Sequence, residues 1–122
     1  MELLQVIKAL GDETRIRMLN LLKDGELCVC ELEVLLDINQ SNASRHLNKL
    51  TTAKLVNFEK RALYVYYTLN EKLMNEFPSV RYMIYKEFEK IEKCLKDNEK
   101  LHKYKESGKT CEDLKEGKIC LD

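Results

Sequence analysis

At 122 residues the chain has room for one domain with a real core, but not for two. Apolar residues make up 44% and charged residues 34%, a globular balance, and no apolar stretch approaches the roughly 20 residues of a membrane span. Net charge is zero, so bulk charge by itself points to neither nucleic acid nor a membrane surface. The opening, Met1 to Leu10, carries Glu2, Gln5 and Lys8 and no small-residue cleavage site, so it reads as an amphipathic helix rather than an export signal. The five cysteines are an odd count and two of them stand one residue apart, which suits free thiols in a reducing cytoplasm better than a secreted disulfide scaffold.

Taken in chain order, Leu3, Ile7 and Leu10 recur at helical spacing and Gly11 closes a first helix. Asp12 caps a second, whose buried stripe is Ile16, Leu19 and Leu22 and which Gly25 ends. From Leu27 to Asp37 a stripe through Val29 or Leu32, Leu35 and Leu36 predicts a third helix, and Ile38-Asn39-Gln40 forms a turn. Ser41 then caps a fourth helix that buries Ala43, Leu47 and Leu50. Two short helices joined by three or four residues, the second opened by a small polar cap, are a helix-turn-helix arrangement.

Two runs of aromatic and β-branched residues follow, 55–59 and 63–69, and predict strands. Lys60, Arg61 and Ala62 stand between them as a basic hairpin tip without the usual glycine. A basic hairpin after a helix-turn-helix is a wing. A further helix begins at Asn70 and restarts at Pro78, the only proline. Val80, Ile84, Phe88, Ile91 and Leu95 then trace a narrow apolar seam of the kind that meets a partner helix. The expected fold is thus α+β and mostly α, a winged helix-turn-helix with a long C-terminal dimerisation helix. A homodimer is expected through that helix and the first, with packing on the chain's own core as the alternative. Residues 1–104 form the DNA-binding and dimerisation domain in this reading, and residues 105–122 a flexible tail carrying Cys111 and Cys120.

Charge is unevenly placed. Residues 11–40 carry a net charge of minus four and residues 41–62 of plus four, so a basic block sits on the fourth helix and wing of a neutral chain. The fragment Leu10-Gly11-Asp12-Glu13-Thr14-Arg15-Ile16-Arg17 resembles the opening of the ArsR/SmtB family of metal-responsive repressors. Ser44-Arg45-His46-Leu47-Asn48-Lys49-Leu50 resembles that family's recognition helix, and Tyr66-Tyr67-Thr68-Leu69 its second wing strand. Glu26-Leu27-Cys28-Val29-Cys30-Glu31-Leu32 is similar to the thiolate box of its arsenical and cadmium/lead repressors. The resemblance covers roughly residues 2–70. It implies a repressor that holds its operator without cofactor and releases it when an ion is bound.

On the fourth helix the apolar set leaves Ser41, Asn42, Arg45, Asn48 and Lys49 facing outward. Arginine forks onto guanine and asparagine onto adenine, which makes Arg45 and Asn42 the expected base readers. Gln40, Ser41, Ser44 and Lys49 suit phosphate or base-edge contacts, and Lys60 and Arg61 suit the flanking backbone or minor groove. His46 lies toward the buried side and reads as a hydrogen-bonded core histidine. A dimer presenting two such helices about 34 Å apart would meet a palindromic duplex.

Thiolates are soft ligands, so Cys28 and Cys30 select soft or borderline ions. On a regular helix the two would point about 200° apart, which predicts that joint ligation requires the first turn of the third helix to unwind. The resemblance implies arsenite or antimonite as inducer, with cadmium or lead second. Many arsenical repressors with this box have a third cysteine where this chain has Glu33. Candidates for a third sulfur are Cys111, Cys120 and Cys94, although Cys94, beside Ile91, reads more readily as a buried structural thiol, and the tail pair as incidental or redox-labile thiols. A zinc site of the family's histidine-and-aspartate kind is not expected, since the last helix offers only His102. A dithiol enzyme centre is disfavoured because Glu26, Glu31 and Glu33 surround the pair and oppose thiolate formation. A DNA-binding protein whose cysteines sense oxidant is the remaining alternative.

Overall fold

The computed structural model describes residues 2–110 and Asp113. Among the described residues seven α-helices and three strands follow one another: α1 (Glu2–Ala9), α2 (Glu13–Leu22), β1 (Leu27–Cys28), α3 (Val29–Leu36), α4 (Gln40–Thr52), β2 (Val56–Arg61), β3 (Tyr64–Leu69), α5 (Glu71–Glu76), α6 (Pro78–Tyr85) and α7 (Glu92–Glu106). A short 3-10 turn, Glu87–Lys90, links α6 to α7. The fold is mostly helical with one small antiparallel sheet, a winged helix-turn-helix, as the periodicity predicts. Among the described residues no helix is long and apolar enough to cross a membrane.

Local chemistry sets the boundaries. Asp12 accepts the Arg15 N–H at 3.1 Å and opens α2, as expected of an N-cap. The cap of α4 is Asn39, whose side chain accepts the Asn42 N–H at 2.8 Å; Ser41, the expected cap, lies inside the first turn. Asn and Ser cap about equally well, so composition could not choose between positions two residues apart. Between α3 and α4, Asp37 takes the left-handed conformation at φ 54° and returns its N–H to Glu33 and Val34.

The sheet has the order β1-β3-β2. β2 and β3 form the wing, with Val56 opposite Leu69 and Arg61 opposite Tyr64. Lys60 and Arg61 therefore belong to the strand, and the turn is Ala62-Leu63, with Ala62 at φ 55° in the place where glycine was missed. The third strand was not foreseen. Leu27 and Cys28, read as the start of a helix, pair instead with Tyr67 and Tyr66 of β3. Two residues are too few to show a period of two in sequence.

One apolar cluster unites the described residues, from Val6 on α1 to Tyr104 on α7, with Met18, Leu19, Leu21, Leu32, Leu35, Leu47 and Leu50 fully enclosed at its centre. Two expectations about apolar stripes change. On α1 the buried residues are Val6 and Ala9, while Leu3 and Ile7 are exposed at 41% and 55%, along with Leu4 at 50%. The seam meant for a partner is largely covered by the chain itself: Val80, Ile84 and Phe88 are buried. Among the described residues the longest helix is α7, but it begins only after the seam has passed through α6 and the 3-10 turn, with Ile91 extended at φ −92°. The breaks let apolar residues at helical spacing fold onto α2 rather than form one rod.

Candidate DNA-reading face and dithiol site

α4 buries Ala43, His46, Leu47 and Leu50 against the core and turns its other face outward. Gln40, Ser41, Asn42, Ser44, Arg45, Asn48 and Lys49 are all exposed, as the helical pattern requires. Arg45 donates to the Asn42 side-chain oxygen at 3.3 Å, so the two expected base readers stand side by side on one surface.

Behind that surface lies a buried polar cluster that sequence reasoning only half found. His46 is enclosed, with Nδ1 3.2 Å from the Arg15 guanidinium and 3.7 Å from Asp12, and Nε2 3.4 Å from Arg45. Burial, reinforced by the cations Arg45, Arg15 and Lys49 and only partly opposed by Asp12, holds its imidazole below the usual histidine range. Burial pushes the Asp12 carboxyl up, but the Arg15 N–H and the nearby His46 and Arg15 charges outweigh it and leave it below its ordinary value. Arg15 also donates to the Ala9 carbonyl at 2.7 Å and so ties the end of α1 to the recognition helix. In sequence Arg15 looks like a surface cation on α2; only the packing shows it enclosed.

The wing residues differ from each other. Lys60 is exposed. Arg61, expected alongside it as a phosphate contact, is held by Glu26 at 2.7 Å and lies over the Tyr66 ring at 3.9 Å. It thereby ties the wing to the segment leading into the dithiol box.

In that box Cys28 is the N-cap of α3, in extended backbone at φ −85° and ψ 165°, and Cys30 lies in the helix's first turn. Helical rotation does not apply across a cap, and the two sulfurs face each other 2.8 Å apart. The expected need for unwinding is therefore corrected: the pair is assembled in the folded chain. Cys28 is fully enclosed. Cys30 opens onto a cleft of about 460 Å³ bounded by α3, the start of α4 and the wing. Glu31 accepts the Cys28 N–H at 2.8 Å through one oxygen, and Tyr104 of α7 donates to its other oxygen. This link was missed, although Cys28 followed three residues later by Glu31 has the spacing of a capping box.

Cys94 is fully buried, where α7 packs on α2 beside the paired Arg17 and Asp97, 2.7 Å apart. Burial, then the Asp97 charge, pushes its thiol up to about 11, which suits an inert structural thiol. Among the described residues no group of three or more His, Cys, Asp or Glu side chains is placed to hold a metal ion. Cys111 and Cys120 lie outside the described residues.

A recognition helix followed by a basic wing, on a small helical core, defines a winged helix-turn-helix DNA-binding regulator. Residues 12–57 match the family described as "Bacterial regulatory protein, arsR family". The chain is 42% identical over 69 residues to the arsenic resistance transcriptional regulator ArsR1 of Pseudomonas putida, covering 56% of this chain and 54% of that protein. It is 38% identical over 72 residues to the arsenical resistance operon repressor of Bacillus subtilis, covering 58% of this chain and 69% of that one. Among solved structures, HlyU from Vibrio cholerae superposes with a TM-score of 0.60 at 34% identity, covering 69% of this chain and 91% of that chain. The homodimeric winged helix-turn-helix DNA-binding domain Mb0332 of Mycobacterium bovis also gives 0.60, at 28% identity, over 67% of this chain and 77% of that one. The chain belongs to the arsR family of bacterial regulatory proteins and to its arsenical-repressor branch. Family members of this kind are DNA-binding transcriptional regulators rather than enzymes.

Proposed function

We propose that this protein is a cytoplasmic, homodimeric repressor that binds a palindromic operator through α4 and the wing and leaves it when Cys28 and Cys30 capture arsenite or antimonite. The observation that carries the reading is the 2.8 Å approach of the two sulfurs at the start of the helix packed against the recognition helix. Arg45 and Asn42 read bases, Gln40, Ser41, Ser44, Asn48 and Lys49 contact edges and phosphates, and Lys60 holds the flanking backbone. Arg61 reaches phosphate only by leaving Glu26. The exposed α1 face of Leu3, Leu4 and Ile7 supplies the dimer contact.

Release follows from where the sulfurs are anchored. Cys28 is paired through β1 to the wing strand, whereas Cys30 rides on α3, which packs on α4. An ion held by both sulfurs sets the spacing between those two attachments and so shifts wing against reading helix. DNA affinity and ion affinity must then oppose each other by the same factor.

The test is operator binding titrated with arsenite, antimonite, cadmium, lead and zinc. Arsenite and antimonite should release wild type at the lowest concentrations, and Cys28→Ser or Cys30→Ser should bind operator normally but resist release, because a hydroxyl is not a soft ligand. Normal arsenite release of both variants would overturn the reading. The same approach of the sulfurs supports a second reading, in which the pair is oxidised to a disulfide and two electrons and two protons pass to an oxidant such as peroxide. Release by peroxide with no response to arsenite under reducing conditions would favour it.

A further inference from the structure

Both ring nitrogens of His46 face arginines, Nδ1 at 3.2 Å from the Arg15 guanidinium and Nε2 at 3.4 Å from that of Arg45. Arginine only donates, and a neutral imidazole accepts at one nitrogen while the other carries its hydrogen. The ring can therefore accept from one of the two arginines at a time, and the other faces an N–H. Arg15 has further acceptors in the Ala9 carbonyl at 2.7 Å, the Lys8 carbonyl at 3.5 Å and the Asp12 carboxylate at 3.9 Å. Arg45 stands on the exposed face of α4, where the Asn42 side-chain oxygen at 3.3 Å also accepts from it. Asp12 Oδ1 lies 3.7 Å from Nδ1. A hydrogen on Nδ1 thus meets a carboxylate, whereas a hydrogen on Nε2 meets a guanidinium. Electrostatics place the hydrogen on Nδ1 and leave Nε2 to accept from Arg45.

We propose that His46 is a positioning residue for operator reading: its neutral ring holds the Arg45 guanidinium beside Asn42, and protonation of Nε2 lets that arginine go. This rests on the reading of Arg45 as a base contact and deepens it. A guanidinium already held in place loses less freedom when it meets its base, which is worth about two- to tenfold in affinity for the matching base pair. Once a proton from solvent occupies Nε2, the acceptor is gone and two cations face each other. The groups around the ring set when that happens. Asp12, the cap of α2, favours the protonated form, while Arg15 of α2 and Arg45 and Lys49 of α4 oppose it. From α1 the Ala9 and Lys8 carbonyls act through Arg15. Burial joins the three cations, so the ring is neutral at pH 7 and takes its proton below 6.5. Acid therefore loosens the reader without touching the dithiol.

The experiment measures base preference against pH, using the full chain, reduced and metal-free, at constant ionic strength. Selection from random duplexes gives the operator, and the position at which Arg45→Ala loses its preference is the pair that Arg45 reads. Affinity for the operator is then divided by affinity for the duplex changed at that pair. In wild type this ratio should fall at least about twofold from pH 7 to pH 5, while the ratios at other positions hold. His46→Gln, polar but without a titrating ring, should give a ratio that does not vary with pH. Asp12→Asn retains a good helix cap but removes the charge that favours the protonated ring, so the midpoint of the fall should move to lower pH. A flat wild-type ratio, or an equal fall in His46→Gln, overturns the proposal. Should His46→Gln not fold, Asp12→Asn decides, and a midpoint that stays or rises overturns it. If Arg45→Ala loses preference at no position, the base-contact reading of Arg45 itself fails.

Discussion

Tyr104, near the end of α7, donates its hydroxyl to the Glu31 carboxylate, whose other oxygen accepts the Cys28 N–H. Burial, then the hydrogen bond to Glu31, pushes the tyrosine phenol far above its ordinary range, so it remains a donor. Tyr104→Phe removes one donor to a charged acceptor and should cost about 1.5–3 kcal/mol in urea denaturation. A loss below about 0.5 kcal/mol would show that water replaces the hydroxyl without penalty.

The dimer assignment divides two sets of apolar residues by where they lie. Ile84→Asp or Phe88→Asp places a carboxylate in the chain's own core and should abolish cooperative thermal unfolding instead of producing folded monomers. Leu4→Glu with Ile7→Glu changes an exposed face and should give folded monomers by circular dichroism and sedimentation, with weakened operator binding. An intact dimer in the α1 variant would move the interface away from that face.

How much of this was legible beforehand depended on the range of the interaction. Asp12 as a cap, Pro78 as a helix start and the wing runs were readable because each is a local signal spanning a few residues. The outward set on α4 was readable for the same reason. The α1 stripe and the Val80–Leu95 seam show the limit: periodicity identifies an apolar face but not what covers it. The dithiol shows another. Its two cysteines were evident, but their approach depends on β1 pairing with a strand far along the chain, which places Cys28 outside the helix. Arg15 with His46, and Glu31 with Tyr104, depend likewise on contacts between distant segments.

Arg45→Ala should weaken operator binding by about 1–3 kcal/mol and relax sequence preference at one position of each half-site. Lys60→Ala should weaken all sequences alike and reduce the slope of log affinity against log salt by about one per contacted phosphate. Arg61→Ala should change that slope less, because its guanidinium is engaged with Glu26 and Tyr66. Equal slope changes for Lys60→Ala and Arg61→Ala would mean that Arg61 exchanges Glu26 for phosphate on binding.

Ala62 turns the wing at φ 55°, a conformation that costs an ordinary residue roughly 1–2 kcal/mol. Ala62→Gly relieves that strain but gives the unfolded chain more freedom, by roughly 0.5–1 kcal/mol. The net expectation is a gain of between zero and about 1.5 kcal/mol in urea denaturation. A loss of stability would mean that the hairpin holds Ala62 without strain.

His46 gives stability a pH dependence whose sign follows from its surroundings. The folded chain holds the imidazole below 6.5, first through burial and then through Arg45, Arg15 and Lys49, with Asp12 opposing. Between the folded value and 6.5 the unfolded chain therefore binds more protons than the folded one, and stability rises with pH there. The contribution is fully present above the unfolded value and is lost as pH falls through the folded value. Asp12 behaves alike in a lower window: its folded value lies below 3.8, so its contribution is kept above 3.8 and lost as pH falls further. The two effects are thus separable. Wild type should lose stability in urea between pH 7 and pH 5, and His46→Gln, which keeps a polar side chain without a titrating ring, should flatten that slope. An equal slope in both proteins would place the pH dependence elsewhere and leave His46 as a neutral brace between Arg15 and Arg45.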